Sequence, residues 1–368
     1  MNETDALLIL NAIPGLGPNR LKKLLERFGA ADRILFSSVR ELTAEQIISV
    51  NIAENILAFA KGDYLRSEYA LLKRHNVHVV TYQHADYPKS LKEIPSAPLV
   101  LYVKGALKPE YKLAVGMVGA RQASIYGLSI AEKFARELSE LGITVVSGLA
   151  RGIDSAAHRG TVKAKGTTVA VLGCGLSQIY PKENARLANE IVERGALISE
   201  FSMSMPPIAH NFPQRNRIIS GLSLGIIVVE ASLQSGALIT SNFALEQGRE
   251  VFAVPGKVDN PNAAGVNNLI KQGARLISSV DDVLEELAPQ LKSYLAENKN
   301  GKKQPSTTPA AELTEQEKTI YSYVTETPSH VDQIAVQCEN SIHQIMSILL
   351  QLELKGFIKQ LPGKLFVR

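Results

Sequence analysis

Apolar residues recur every three or four positions through residues 1–80, as in "ADRILFSSVRELTAEQIISV" and "ENILAFAKGDYLRSEYALLKRH", with no strand-like alternation. The spacing predicts a small helical domain. Pro88, Pro95 and Pro98 then punctuate "YPKSLKEIPSAPLVLYVKG", and because each discourages continued helix, residues 81–110 are expected to be a connecting segment. From 111 to 287 the pattern changes to short β-rich runs, "LAVGMVG", "ITVVSG", "TTVAVLGCG", "GIIVVEA" and "VFAVPG", separated by helical stretches such as "GLSIAEKFARELSELG". Runs that are apolar throughout imply strands buried on both faces of a parallel sheet, so this span is expected to be a doubly wound α/β domain. Residues 288–311, including "ENKNGKKQPSTTPAAE", are polar, proline-rich and aperiodic, as a flexible linker would be. Residues 312–368 predict three helices followed by "FIKQLPGKLFVR", two short strands about a Pro-Gly turn, which is the order of a winged helix.

Composition sharpens this picture modestly. A length of 368 residues with 45% apolar content suits two or three domains, and the formal charge of +4 leans mildly toward polyanions. Cys174 and Cys338 fit neither a disulfide framework nor metal-ligand spacing, which suits a reducing cytosol and gives no reason to expect a metal. The acidic start "MNETDALLIL" lacks the basic n-region of a signal peptide, and no apolar run is long enough to span a membrane, so the expected location is the cytoplasm.

In an open α/β sheet, ligands bind beyond the carboxyl ends of the strands. Four polar clusters stand there: "GARQAS" (119–124), "SGLARGID" (147–154), "GCGLSQIYPKEN" (173–184) and "PGKVDNP" (255–261). Their glycines permit close backbone approach and the helix starts beyond them offer N–H groups to anions. With Arg121, Arg151 and Lys182 added, the rim is phosphate-seeking. Any one cluster alone is more simply turn chemistry. Asp154 most simply caps the following helix, and His158, four residues on, a local hydrogen bond. "GMVGAR" lacks the third glycine of a dinucleotide fingerprint, and no P-loop is present, so no cofactor is expected. "GLSLG" (221–225) fits G-x-S-x-G formally but follows a helical stretch and precedes a strand, the reverse of a nucleophile elbow.

"FPQRNRIISGLS" adds Arg215 and Arg217 around Asn216 at a helix start, suited either to phosphates or to a solvated surface. "LNAIPGLGPNRLKKLLERFG" presents a helix, a Pro-Gly-x-Gly-Pro turn and a second helix with Arg20, Lys22 and Lys23. It is SAM/helix-hairpin-helix-like, open to two readings: a grip on DNA phosphates, or a packing module whose glycines permit the turn. The candidate recognition helix of the winged helix, "SIHQIMSILLQLELKG", has no Lys or Arg before Lys355, which favours a protein-contact role over groove binding.

Taken in order, "VGAR", "SGLARGIDSAAH", "GCG" with "YP", "SEF", "RNRIISGLS", "IIVVEA", "SGALIT", "GREVFAVPG" and "GVNNLI" with "QGA" resemble the DNA processing protein A (DprA/Smf) family across about 105 to 280. Ala120 and Ala237 stand where that family usually has Ser. The resemblance implies an extended Rossmann-like central domain and a non-enzymatic protein of natural transformation. Such a protein binds and protects incoming single-stranded DNA and helps load the recombinase RecA onto it. Carried over by position, DNA contacts fall on Arg121, Gly148, Arg151, Gly152, Gly173, Gly175, Lys182, Asn216 and Arg217. It also implies a homodimer built through the later part of the Rossmann domain. There Leu269 and Ile270 offer apolar surface, unless they serve ordinary core packing. The alternative is a nucleotide-processing enzyme, with Asp154, His158 and Glu230 supplying acid–base chemistry on a nucleoside monophosphate.

Overall fold

Five consecutive residues of the first helix, Ala6 to Leu10 in α1 (Glu3–Ala12), are buried. A helix apolar on every side belongs in the middle of a bundle. In the computed structural model α1 packs among α2 (Pro18–Phe28), α3 (Ala31–Phe36), α5 (Val50–Lys61) and α6 (Tyr64–His75), with the short α4 (Val39–Thr43) beside α5. Pro18 at the first position of α2 and Gly29 in left-handed conformation after its last turn set the ends of that helix. The structure describes residues 1–107, 113–288 and 290. Of the C-terminal portion it describes 313–325, 327, 329–338, 345, 346, 348, 349, 352, 353, 357–361 and 365–368.

A nine-stranded sheet follows the bundle. Its strands are β1 (His78–Thr81), β2 (Val100–Gly105), β3 (Ala114–Val118), β4 (Thr144–Ser147), β5 (Thr168–Val171), β6 (Ala196–Ser199), β7 (Gly225–Val228), β8 (Glu250–Ala253) and β9 (Arg275–Leu276). They lie in the order β1-β2-β6-β5-β4-β3-β7-β8-β9, parallel from β6 to β9. Chain order runs outward in both directions from β3, so the topological switch point lies between β3 and β7. Strand alternation divides the core in two. Val115, Met117, Val145, Ile227 and Phe252 face α8 (Ile125–Glu140) and α9 (Ile153–Lys163). Val118, Val146, Val171 and Val228 face Ile218 and Ile219 of α11 (Asn211–Gly221), Ala237 of α12 (Gly236–Glu246) and Val266 of α13 (Ala264–Lys271). Fully burying a side chain the size of Phe252 contributes about 1.5–3 kcal/mol.

Two strands lie where the sequence predicts helix and connecting segment. β1 pairs antiparallel with β2, and β2 pairs antiparallel with β6, in register Gly105 to Ala196. Residues 78–81 are too few to show a period, and their hydrogen bonds come from elsewhere in the chain. Together the two strands weld the helical bundle to the sheet: Val100, Tyr102, Ala170 and Leu197 share one core with Leu8, Leu24 and Ile56. α10 (Ala185–Arg194) adds Ala188 and Ile191 to that core, and α7 (Lys89–Lys92) adds Leu91 to the next one. Leu269 is buried and Ile270 half-buried against it, so for Leu269 the packing reading holds.

At the C-terminus α14 (Glu315–Tyr323) and α15 (Val331–Cys338) pack with Ile345, Leu349 and Leu352 around Phe366, beside a sheet ordered β10 (Ser329–His330), β12 (Leu365–Val367), β11 (Lys359–Leu361). The expected linker, 288–311, lies almost wholly outside the described residues, as do most of "SIHQIMSILLQLELKG" and Lys355. Among the described residues no helix is long and apolar enough to cross a membrane.

Candidate nucleic-acid interface

A cavity of about 590 Å³ opens at the carboxyl ends of β3, β4 and β7, at the switch point. The loop after β3 contributes Arg121 and Gln122, the loop after β4 Arg151 and Asp154, and α11 Phe212, Arg215 and Asn216. Ser235 and Thr240 from the start of α12, with Asn262 from beyond β8, close the far wall.

The floor is a buried cation. Arg215 is 4% exposed, and its Nη1 donates to the carbonyl of Gly148 at 2.7 Å and to that of Val171, the carboxyl ends of β4 and β5. Its Nε has no partner, and it forms no ion pair among the described residues. Burial brings its pKa down to about 10, with Asp154 opposing, so it stays charged at neutral pH. With carbonyl acceptors but no carboxylate in hydrogen-bond contact, and with Asp154 offsetting only part of its charge, this floor is a place where an anion is favoured.

Asp154 is committed to the loop that precedes its helix: its carboxylate accepts from the amides of Gly148 at 3.1 Å and Ala150 at 3.3 Å. Burial raises its pKa, against the pull of Arg215. His158 is fully buried, with Nδ1 2.7 Å from the Thr168 hydroxyl, which itself donates to Val145. Burial, helped by Arg215, drives its pKa down to about 3, so the ring is neutral. Glu230 accepts from the amide of Ser124 at 2.9 Å and from its hydroxyl at 2.5 Å, holding the residue that caps α8.

Three of the nine positions carried over as DNA contacts, Arg121, Arg151 and Asn216, line the cavity, as do Arg215 and Asp154. The Arg121 guanidinium sits 5.6 Å from the ring centre of Phe212, whose ring lies 5.5 Å from that of the exposed Tyr180. Arg151 makes a two-pronged ion pair with Glu183, both exposed. Such a pair is worth at most about 1 kcal/mol, so an incoming anion can displace Glu183 at small cost. Asn216 donates to the carbonyl of Gly236 at 3.3 Å, which leaves its oxygen free for the cavity.

The others lie around it. Lys182 is exposed on the short turn Lys182–Asn184, next to Glu183. Gly152 has φ +74°, and a Cβ there would stand 2.2 Å from the carbonyl of Ala120, so only glycine lets the loops after β3 and β4 touch. Gly148 gives its space to the Arg215 guanidinium, Gly173 to the Phe212 ring, and Gly175 to the carbonyls of Ser202 and Met203. Arg217 points away from the cavity. Its Nη1 and Nη2 donate to the Glu200 carboxylate at 2.7 and 2.6 Å, and its Nε to Ser96 at 3.0 Å.

The wall beyond β8 adjoins the cluster "PGKVDNP", which ends one residue before Asn262, whereas the wall from α12 lies outside the four polar clusters. Its signal is "SGALIT", small polar residues following the buried strand "GIIVVEA", the same pattern as those clusters.

Comparison with known proteins agrees on one family. A sequence profile described as DNA recombination-mediator protein A matches residues 78–288, which begin at β1, and one described as DprA winged helix domain matches 304–364. Protein Smf of Escherichia coli (strain K12) is 38% identical over 326 residues, 86% of this chain and 84% of that protein. The X-ray structure of DNA processing protein A from Streptococcus pneumoniae superposes with a TM-score of 0.68 at 34% identity, covering 78% of this chain and 99% of that one. The structure of DNA processing protein A from Helicobacter pylori, described for its single-stranded DNA binding mode, gives a TM-score of 0.53 at 27% identity, covering 58% and 96%.

Proposed function

Because this chain belongs to the DNA recombination-mediator protein A family, we propose that it is a single-stranded-DNA-binding protein of natural transformation, which protects incoming DNA and helps load RecA onto it. One observation carries the reading to a site: the buried, unpaired Arg215 at the floor of a cavity whose mouth holds Arg121 and Arg151. These cations hold the phosphate backbone. Asn216 lines the cavity they share, Lys182 extends the grip along the rim, and Gly148, Gly152, Gly173 and Gly175 hold the loops close enough to form it. Arg217 serves this pocket by fixing α11 through Glu200. Phe212 and Tyr180 offer ring faces for bases. Backbone contacts of this kind carry little sequence preference.

The protein acts without turnover. Asp154, His158 and Glu230, the side chains that an acid–base mechanism needs, are each tied to backbone or hydroxyl partners, and His158 stays neutral. It works in the cytoplasm as a homodimer.

Competition against a labelled single strand tests the reading. Unlabelled single strands of different sequence displace the probe equally well, while duplex of the same length does so far more weakly; equal displacement by duplex overturns it. A nucleotide panel yields no product with the purified protein, and light scattering returns twice the chain mass.

A further inference from the structure

Beyond the cavity, the rim carries apolar side chains that no core uses. Ile125 is 89% exposed and Tyr126 52% at the start of α8, Leu233 64% after β7, and Val258 97% after β8. Single exposed apolar residues are ordinary. These stand on three loops that hydrogen bonds draw together: Asn262 donates to Gln122 at 2.8 Å, and Ala231 to Asn262 at 2.7 Å. β3 and β8 are two strand spacings apart, about 10 Å.

The loops are also built to hold them out. Asn267 accepts from the Gly256 amide at 3.2 Å and donates back to its carbonyl at 3.0 Å, and the Asn260 amide closes a turn onto Lys257 at 3.1 Å. Val258 projects from that closed turn. Ser124, held by Glu230, fixes the first turn of α8 beneath Ile125 and Tyr126.

Resting on the single-strand reading, we propose that Ile125, Tyr126, Leu233 and Val258 form a platform for nucleobases of the same strand whose backbone the cavity holds. The pattern of polarity selects this occupant. A protein-docking patch is contiguous and apolar. Here Arg121, Gln122, Lys257, Asn260 and Asn262 stand in the same loops as the apolar side chains, and a cation near an exposed aromatic ring, Arg121 near Tyr126 in sequence, suits a single strand's backbone and bases. Asp259 offsets Lys257 in the same turn, so Arg121 supplies most of the attraction. Leu233 and Val258 follow β7 and β8, while Phe212 packs over Gly173 after β5 with Tyr180 beside it, so bases can be covered on either side of the gripped phosphates.

The test uses the full chain with Tyr126→Ser and Val258→Ser combined, both solvent-facing, with thermal melts matched to wild type. Anisotropy is read on an oligo-dT strand and on an abasic deoxyribose-phosphate strand of equal length. The expected result is a loss of about tenfold on oligo-dT, no loss on the abasic strand, and an unchanged salt slope. Equal affinity of variant and wild type for oligo-dT overturns the platform, as does an equal loss on both strands. Unchanged DNA affinity with a variant that light scattering finds monomeric gives the rim to a second copy and overturns it too. A wild type that binds neither strand overturns the single-strand reading itself, a result distinct from all of these.

Discussion

α11 separates two hollows, and the arginines on its two sides are treated oppositely. Arg215 faces the switch-point cavity and Arg217 faces a groove of about 430 Å³ shared with Gly17, Pro18 and Arg20 of the helical bundle. Both are about 95% buried, at 4% and 5% exposure. Arg217 has a carboxylate locked across it in Glu200; Arg215 has two carbonyls and an idle Nε. A buried cation whose charge is matched within the fold is part of the scaffold. One offset only without direct contact, as Asp154 offsets Arg215, leaves part of its field at the cavity for something that arrives. The difference explains why adjacent basic residues on one helix do not share one role.

The sharpest way to break this comparison is to remove the scaffold cation. Arg217→Ala leaves the Glu200 carboxylate buried alone and is expected to cost about 3–5 kcal/mol in urea unfolding. Replacing both partners with apolar residues of similar volume recovers most of that loss. Arg215→Met is expected to cost less stability but to weaken single-strand binding at least tenfold, since hydrogen bonds to charged groups contribute about 1.5–3 kcal/mol each. Wild-type affinity in Arg215→Met, measured by anisotropy, ends the distinction between the two sides.

Acidity probes the same floor. The folded pKa of His158, about 3, lies below its ordinary 6.5, so the unfolded chain binds the proton first and stability falls as pH drops from about 6.5 toward 3. One such group contributes a slope of up to about 1.4 kcal/mol per pH unit. Asp154, whose pKa is raised, acts in the opposite sense above its ordinary 3.8, so the informative quantity is wild type minus His158→Gln. Identical pH profiles for the two proteins contradict a buried neutral ring. The smallest effect is at the mouth: Arg121→Ala and Lys182→Ala each flatten the plot of log affinity against log salt by about 0.7 on single strands, with similar losses on every sequence.

How far the sequence discloses this molecule follows from where each signal originates. β3, β4, β5, β7 and β8 are apolar on both faces, so their runs are visible without knowing their neighbours. β6, "ALIS", is as short and as buried as these, but it follows α10 after the single residue Gly195, and its partners β2 and β5 are what mark its bounds. The polar clusters after strands contain Arg121 and Arg151, which line one cavity because strand ends put their loops on one rim, while Asn216 reaches it from the helix start in "FPQRNRIISGLS". Arg215 and Arg217 are indistinguishable as letters. Helix geometry turns them to different sides, and what settles each role is that the Glu200 carboxylate, seventeen positions upstream, is hydrogen-bonded to one, while the other holds only backbone carbonyls and feels Asp154 without a hydrogen bond to it.

The pairing of β2 with β6 has a consequence in time. Gly105 must wait for Ala196, and at ordinary synthesis rates of about 5–20 residues per second that delay is on the order of 5–20 seconds. Throughout it the β1–β2 hairpin, marginal by itself, has an open edge, and Tyr102 lacks Ala170 and Leu197 as neighbours. A nascent chain stalled before β6 therefore offers chaperones a bare strand and an uncovered bundle, whereas one stalled far enough past Ser199 for β6 to have left the ribosome can cover both.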